Sequence, residues 1–168
     1  HLHRASGTRL EVFDQKQAAE LPADRVRIQF SQDRKLPVET FQIKHSGNTL
    51  LFTGDGRGND TLQWAVDHFL DRQLGVRWLW PGEVGTYVPK HATIPLAQMD
   101  HTGRPALEKR TLRNSLKRRS HENSPTLLTK EQYRREVAEA NDWLKRFQSG
   151  SRSRYDFGHA ITHWWDKY

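Results

Sequence analysis

The run LLFTGDGRGNDTLQWAVDHFL, residues 50–70, constrains the fold more than any other part of this chain. Gly54-Asp55-Gly56-Arg57-Gly58 cannot form regular structure, because glycines at this density favour a sharp turn. Before the turn lies a β-prone run. After it, Asp60 stands in the N-cap position with Gln63 three residues on, the capping-box spacing. Leu62, Ala65, Val66, Phe69 and Leu70 then recur at helical spacing and give one apolar face. A helix is therefore expected over Thr61–Leu74, stopped by Gly75. A strand, a tight turn and a helix with one apolar face call for a sheet beneath the helix.

The sequence before this run supplies candidates for that sheet. Phe41–His45 and Thr49–Thr53 are β-prone runs joined by Ser46-Gly47-Asn48, which predicts a hairpin. Arg25–Phe30 alternates, with Val26, Ile28 and Phe30 on one face, and reads as a half-buried strand. Arg9–Phe13 alternates enough to be expected as a strand. Leu2–Gly7 reads as the end of a helix, and Gln15–Leu21 as a short helix closed by Pro22. Beyond the long helix, Val76–Trp80 and Thr86–Val88 are expected strands on either side of the Pro81-Gly82 turn.

Composition changes after about Ala97. Arg104, Lys109, Arg110, Arg113, Lys117, Arg118 and Arg119 crowd together. Ala106–Leu112 is an expected strand, and Ser120–Pro125 a polar loop. Thr129 caps a second helix, with Gln132 three residues on and Tyr133, Val137, Ala140, Leu144 and Phe147 at helical spacing. Gly150 is its expected stop. Tyr155–Phe157 is an expected strand, followed at once by Gly158-His159. A boundary near residue 100 follows, with one domain over 1–100 and another over 101–168. The order strand, helix, strand in the second part is how a parallel β/α array begins.

Charge and composition narrow the partners. The chain has 168 residues, a net charge of +7, 35% apolar residues and six Trp, enough to build a core if the apolar residues are concentrated. They are, mainly between Phe41 and Leu96. A basic balance favours polyanions: nucleic acid, a membrane surface or an acidic polysaccharide. No apolar run approaches a membrane span. With no cysteine, disulfides and thiolate metal sites are excluded. The first residue is His and no signal peptide opens the chain; a removed leader or a shortened sequence would account for that.

Each candidate site has a plainer reading beside it. The glycine turn resembles a phosphate cradle at a helix N-terminus. However, the dinucleotide fold needs a parallel βαβ unit and a spaced acid, and no Gly-Lys-Ser/Thr follows. A tight strand-to-helix turn is the expectation. Trp64, Trp78 and Trp80 would form a sugar-stacking platform if exposed, but tryptophan more often buries its large area. Packing is expected for Trp78 and Trp80, which share a strand face. The basic cluster lacks the interleaved aromatics of a nucleic-acid surface, so a solvated face is expected and no nucleic-acid partner. Some of its arginines would instead suit a carboxylate on an acidic sugar. His159 follows a predicted strand and precedes Trp164 and Trp165, where a histidine can serve a sugar hydroxyl or acid–base chemistry; a structural histidine fits the spacing as well. No His, Asp and Glu spacing suits a metal, and no cofactor is implied. Glu108, Asp142 and Asp156 have no partner that sequence can specify as a catalytic pair.

The stretch GRGNDTLQWAVDHFLDRQLGVRWLWPGEVGTYVPKHATIPL resembles the N-terminal accessory domain of bacterial α-glucuronidases and related glycoside-hydrolase-like proteins. A similar small α/β domain precedes the barrel in β-N-acetylhexosaminidases. The shared pattern is a glycine turn, a helix ending in Leu-Gly-Val-Arg-Trp, then Trp-Pro-Gly-Glu and Val-Pro-Lys. PALEKRTLRN resembles the first strand of the family's barrel, and WLKRFQSGSRSRYDFGHAITHWWDKY its first helix and second strand, ending in Gly-His-Ala. Ile161 departs from the pattern, since an aromatic is expected there. The resemblance implies an α/β protein: an α+β accessory domain with a mixed sheet and packed helix, then the first β/α units of an incomplete TIM barrel. It implies cleavage of O-glycosidic bonds in a polysaccharide or oligosaccharide by a secreted or periplasmic parent enzyme. Its catalytic carboxylates would come from later strands, leaving this fragment inactive. Arg110, Arg113, His159 and Trp164 are implied as residues at the substrate end of the barrel. The competing expectations are a non-catalytic carbohydrate-binding or docking module and, behind it, a basic nucleic-acid-binding protein, whose binding would weaken steeply with salt.

Overall fold

A computed structural model describes residues 1–22, 24–58, 60–94, 99–111 and 128–150. Its centre is the hairpin that the sequence predicts. Strands β2 (Phe41–Ser46) and β3 (Thr49–Gly54) pair antiparallel, Phe41 opposite Gly54 and Ser46 opposite Thr49. Strand β1 (Arg27–Gln32) joins β3 in parallel, and β6 (Asp100–Gly103) joins β2 antiparallel, so the sheet order is β1-β3-β2-β6. Helix α3 (Thr61–Leu74) covers one face of this mixed sheet. The chain is thus α+β over the described residues.

Side chains alternate across the sheet, and that alternation builds the core. Phe41, Ile43, Leu50 and Phe52 point to the helix side and are buried. From the helix come Trp64, Ala65, Phe69, Leu70 and Leu74, with Val76 and Trp78 just beyond it. Burial of each large side chain stabilises the fold by about 1.5–3 kcal/mol relative to exposure, so this layer is the main favourable contribution. Phe52 packs edge-on to Phe69 at 5.6 Å between ring centroids, which locks the sheet to the helix at mid-length.

Four shorter elements complete this half. Helix α1 (Leu2–Ser6) closes on Gly7, and α3 on Gly75, both in the left-handed conformation. Helix α2 (Gln15–Ala19) starts at a reciprocal capping box between Asp14 and Gln17. Strands β4 (Arg77–Trp78) and β5 (Thr86–Tyr87) form a separate two-stranded ladder. Helix α4 (Lys130–Arg146) begins at Thr129 with the capping box to Gln132 that the sequence implies.

Several expected elements differ. Arg9–Phe13 forms no strand; Val12 is almost fully exposed, and alternation without a sheet edge to bond leaves the backbone as coil. In β1 Ile28 packs against the core and Phe30 stacks on Phe52 at 5.7 Å, yet Phe30, like Val26 just ahead of the strand, is more than half exposed, because this edge strand extends past the cover of the helix. The strand expected over Val76–Trp80 keeps only two residues. Leu79 N–H still donates to the Gly85 carbonyl at 2.8 Å, and then the chain turns. Trp78 is therefore buried and Trp80 is 70% exposed, rather than both packing on one face. A Cβ at Gly85 would lie 2.2 Å from the Trp80 carbonyl oxygen, so only glycine allows that turn. Over 105–111 the described backbone holds a single bridging residue, Lys109, in place of the run expected over Ala106–Leu112. Helix α4 ends at Arg146, ahead of Gly150, and Gln148 takes the left-handed conformation with φ 56°.

The sheet also reaches across residue 100, where the boundary is expected. β6 spans that position, and α4 packs onto α3. Trp64 Nε1 donates to the Lys145 carbonyl at 2.8 Å, and Trp143 Nε1 to the Trp78 carbonyl at 2.9 Å. Two indoles thus cap carbonyls across the seam between the two parts of the chain.

Candidate functional site

The glycine turn is built around an internal carboxylate. Asp55 follows β3 directly and is fully buried. One of its oxygens accepts from the Glu39 backbone N–H at 2.7 Å; the other accepts from the Arg57 N–H at 3.2 Å and the Thr61 hydroxyl at 3.1 Å. The Asp55 N–H in turn donates to Thr61 Oγ1 at 3.1 Å. Arg57 spans the turn and donates to the carbonyls of Arg34 and Leu36. An acidic group at the start of α3 is favoured by the helix dipole, and here the chain supplies it. The Asp55 carboxylate fills the inside of the turn, so the arrangement is a strand-to-helix turn built around an internal acid.

Arg110 lies beside this turn. Its Nη2 donates to Glu39 Oε1 at 2.7 Å, with the two side chains 11% and 9% exposed. Nε donates to the Gln148 carbonyl and Nη1 to the Leu107 carbonyl, each at 2.6 Å. Its backbone is held too: Arg110 N–H donates to the Gly150 carbonyl at 2.8 Å, and the Ser149 hydroxyl donates to the Arg110 carbonyl at 3.1 Å. The guanidinium therefore ties the sheet end, the segment after β6 and the end of α4 into one knot. A planar fork with several donors suits that task better than an ammonium does. Of the other sequence-predicted site residues, Arg113, His159 and Trp164 lie outside the described residues.

A second cluster joins α3 to α4. Asp67 is buried, and its Oδ1 accepts from Arg146 Nη1 at 2.7 Å. Arg146 also donates to Asp142 at 2.9 Å and lies 5.1 Å from the Trp78 ring centroid, a cation–π contact. Burial pushes the Asp67 carboxyl up from 3.8 to about 6, and outweighs the lowering by the Arg146 charge and hydrogen bond. The pair borders an open groove of about 740 Å³ with apolar walls from Leu2, Leu10, Val66 and Leu70. A carboxyl raised this far is the kind of group that exchanges protons near neutral pH. Its geometry makes it first a clamp between α3 and α4. The sequence carries a signal for it: Asp67 lies three residues from Trp64 and from Leu70, on the stripe that packs inward.

Aromatic exposure sorts the three tryptophans weighed for sugar stacking. Trp64 and Trp78 belong to the core, while Trp80, Leu79 and Tyr87 stand exposed around the β4–β5 ladder. Among the described residues no group of three or more His, Asp or Glu side chains is placed to hold a metal ion. No helix among them is long and apolar enough to cross a membrane.

Comparison with known protein families, with characterised proteins and with solved structures finds no match in any of the three.

Proposed function

We propose that this chain is the accessory α/β unit and the entry into the barrel of a bacterial α-glucuronidase-like glycoside hydrolase. The observation that carries the reading is the segment of residues 56–96. It runs in order through a glycine turn, a helix ending in Leu-Gly-Val-Arg-Trp, then Trp-Pro-Gly-Glu and Val-Pro-Lys. A mixed sheet covered by α3 is the kind of unit such a segment would build, and a following helix with a capped start is compatible with a first β/α unit.

In this reading the sheet and α3 buttress a (β/α)8 barrel whose catalytic carboxylates lie on later strands of a longer parent protein. One carboxylic acid protonates the leaving oxygen, and a second carboxylate acts at the anomeric carbon or on water. Arg113, His159 and Trp164 contact the sugar. Arg110, already held by Glu39 and two carbonyls, anchors the chain as it enters the barrel. The net charge of +7 favours approach of an acidic polysaccharide or oligosaccharide. The parent is secreted or periplasmic.

The test is turnover of aryl-glycosides, aryl glucuronides included, by the parent protein and by this 168-residue chain. The reading expects hydrolysis by the parent and none by the chain. Turnover by the chain alone would overturn the placement of the carboxylates, and an inactive parent would overturn the enzyme. One observation favours a second reading, a non-catalytic carbohydrate-binding module: Trp80 and Tyr87 stand exposed around one ladder. Sugar binding by an inactive parent, lost in Trp80→Ala, would select it.

A further inference from the structure

Among the described residues strand β6 is an edge strand, bonded to β2 alone, and its sequence Asp100-His101-Thr102-Gly103 offers little apolar surface. The register sets which side chains face the helix. His101 lies opposite Ile43, and Gly103 opposite Phe41, both on the covered face; Asp100 lies opposite Lys44 on the outer face. With glycine at the other inward position, His101 is the only inward side chain by which β6 grips the core.

What it grips is another histidine. The His101 ring stacks on His68 of α3 with centroids 4.1 Å apart and planes 9° from parallel. Both rings also touch Phe41, His68 at 5.7 Å and His101 at 5.8 Å, and the Phe41 ring lies against Gly103. A shared metal ion does not fit this arrangement, since imidazole lone pairs lie in the ring planes and parallel planes do not converge. Neutral rings stack favourably beside an aromatic neighbour. Two imidazolium rings at this spacing would repel.

We propose that the His68–His101 stack is an acid-sensitive clip, which holds β6 on the sheet while its rings are neutral and releases the strand once acid charges them. Among the described residues the surroundings add little to offset that charge. On α3 the neighbours are Arg72, which opposes a charged His68, and Asp71, which favours it. Asp71 is already paired with Arg77 and Arg72. On β2 the inner face offers Phe41, Ile43 and the titratable His45, while Lys44 and Asp100 face away. Burial, reinforced by His101 and Arg72, already holds the His68 ring below the usual histidine range. Release of β6 frees the segment that leads to Arg110 and so loosens the join between the two parts of the chain. The device stands on the stack and does not depend on what the parent protein does.

Hydrogen exchange on the full chain tests it. The amides of β6 are compared with those of the β2–β3 hairpin at pH 7.5 and pH 5, each corrected for its intrinsic rate. Two unit charges about 4 Å apart in a medium less polar than water repel enough to change an opening equilibrium about tenfold or more. Protection of β6 relative to the hairpin is expected to fall by that factor on acidification. In His101→Phe, which keeps a ring and removes the charge, the fall should vanish; His68→Gln serves if that variant does not fold. In the unaltered chain, ring resonances should show His68 protonating below the usual histidine range. Unchanged β6 protection at pH 5, an equal fall in the variant, or a His68 ring titrating at or above the ordinary value would each overturn the clip.

Discussion

Two ion pairs of similar geometry have different consequences. Glu39–Arg110 and Asp67–Arg146 both close at 2.7 Å with one or both partners buried. Arg110 reaches a carboxylate and two carbonyls that converge from three parts of the chain. Breaking a buried pair by removing one partner costs about 3–5 kcal/mol, because the other charge is left without its counterpart. Arg110→Ala should lower stability by that order in urea denaturation, and Arg110→Lys should recover only part of it. Asp67 behaves differently because burial outweighs its partner. Its folded value of about 6 lies above the unfolded value of 3.8, so the folded state binds the extra proton between them. Its contribution to stability is complete below about pH 4 and is lost as the pH rises through about 6. The loss is on the order of 3 kcal/mol, about 1.4 kcal/mol for each unit of displacement. Asp67→Asn should lack this dependence and be no less stable than the unaltered chain at pH 7, the difference between the two proteins being read from urea curves at pH 4 to 7. A variant that loses stability equally at every pH would contradict this. His68 has the opposite sign: its folded value is depressed, so its contribution is present above the unfolded value near 6.5 and is lost as the pH falls below it.

Elements with an internal apolar period were legible in the sequence, and elements selected by their neighbours were not. Helix α3 occupies the bounds that the Leu62–Leu70 face and Gly75 imply, with Asp60 at the N-cap position, but the expected capping box with Gln63 does not form: the Asp60 side chain makes no capping hydrogen bond. The hairpin and the Thr129 cap were equally readable, since turn and cap chemistry is local. β6 carries no apolar alternation; it is a strand because β2 offers an open edge, which no local pattern reports. The reverse holds for Arg9–Phe13, which alternates without an edge to join. Trp80 departs from its expected packing for a similar reason: parity predicts its face only while the strand continues, and the close approach at Gly85 ends it. At the candidate site, Arg110 was visible as a basic residue, but its partner Glu39 lies 71 positions away in sequence and was not. The glycine turn gives a prediction at this scale. A Cβ on Gly54 would sit 2.7 Å from Thr61 Oγ1 and 2.9 Å from the Leu62 backbone nitrogen. Gly54→Ala must therefore push the start of α3 off the sheet, at about 1–3 kcal/mol for overpacking of a tight site. Circular dichroism on heating should show a lower midpoint, whereas an alanine tolerated without loss would mean that the helix start is looser than its contacts imply.

At the scale of the whole molecule, the mixed sheet, α3 and the docked α4 form one connected framework across residue 100. Indole donors, the Asp67–Arg146 clamp and the Arg110 knot all cross the same seam. Such a framework is compatible with the accessory role proposed above. The fold class was legible because the hairpin, glycine turn and α3 are consecutive in sequence. The barrel proposed to follow would be less legible, since parallel strands are chosen by partners far away along the chain. The most direct measurement is a crystal structure of the parent protein with an acidic oligosaccharide bound. The account predicts a cylinder of parallel strands beginning after Gly103, the sugar at the C-terminal mouth of those strands, and the β1-β3-β2-β6 sheet alongside without touching the scissile bond. A second part that is all-helical or a closed antiparallel sheet, or a sugar held by the accessory sheet itself, would contradict it.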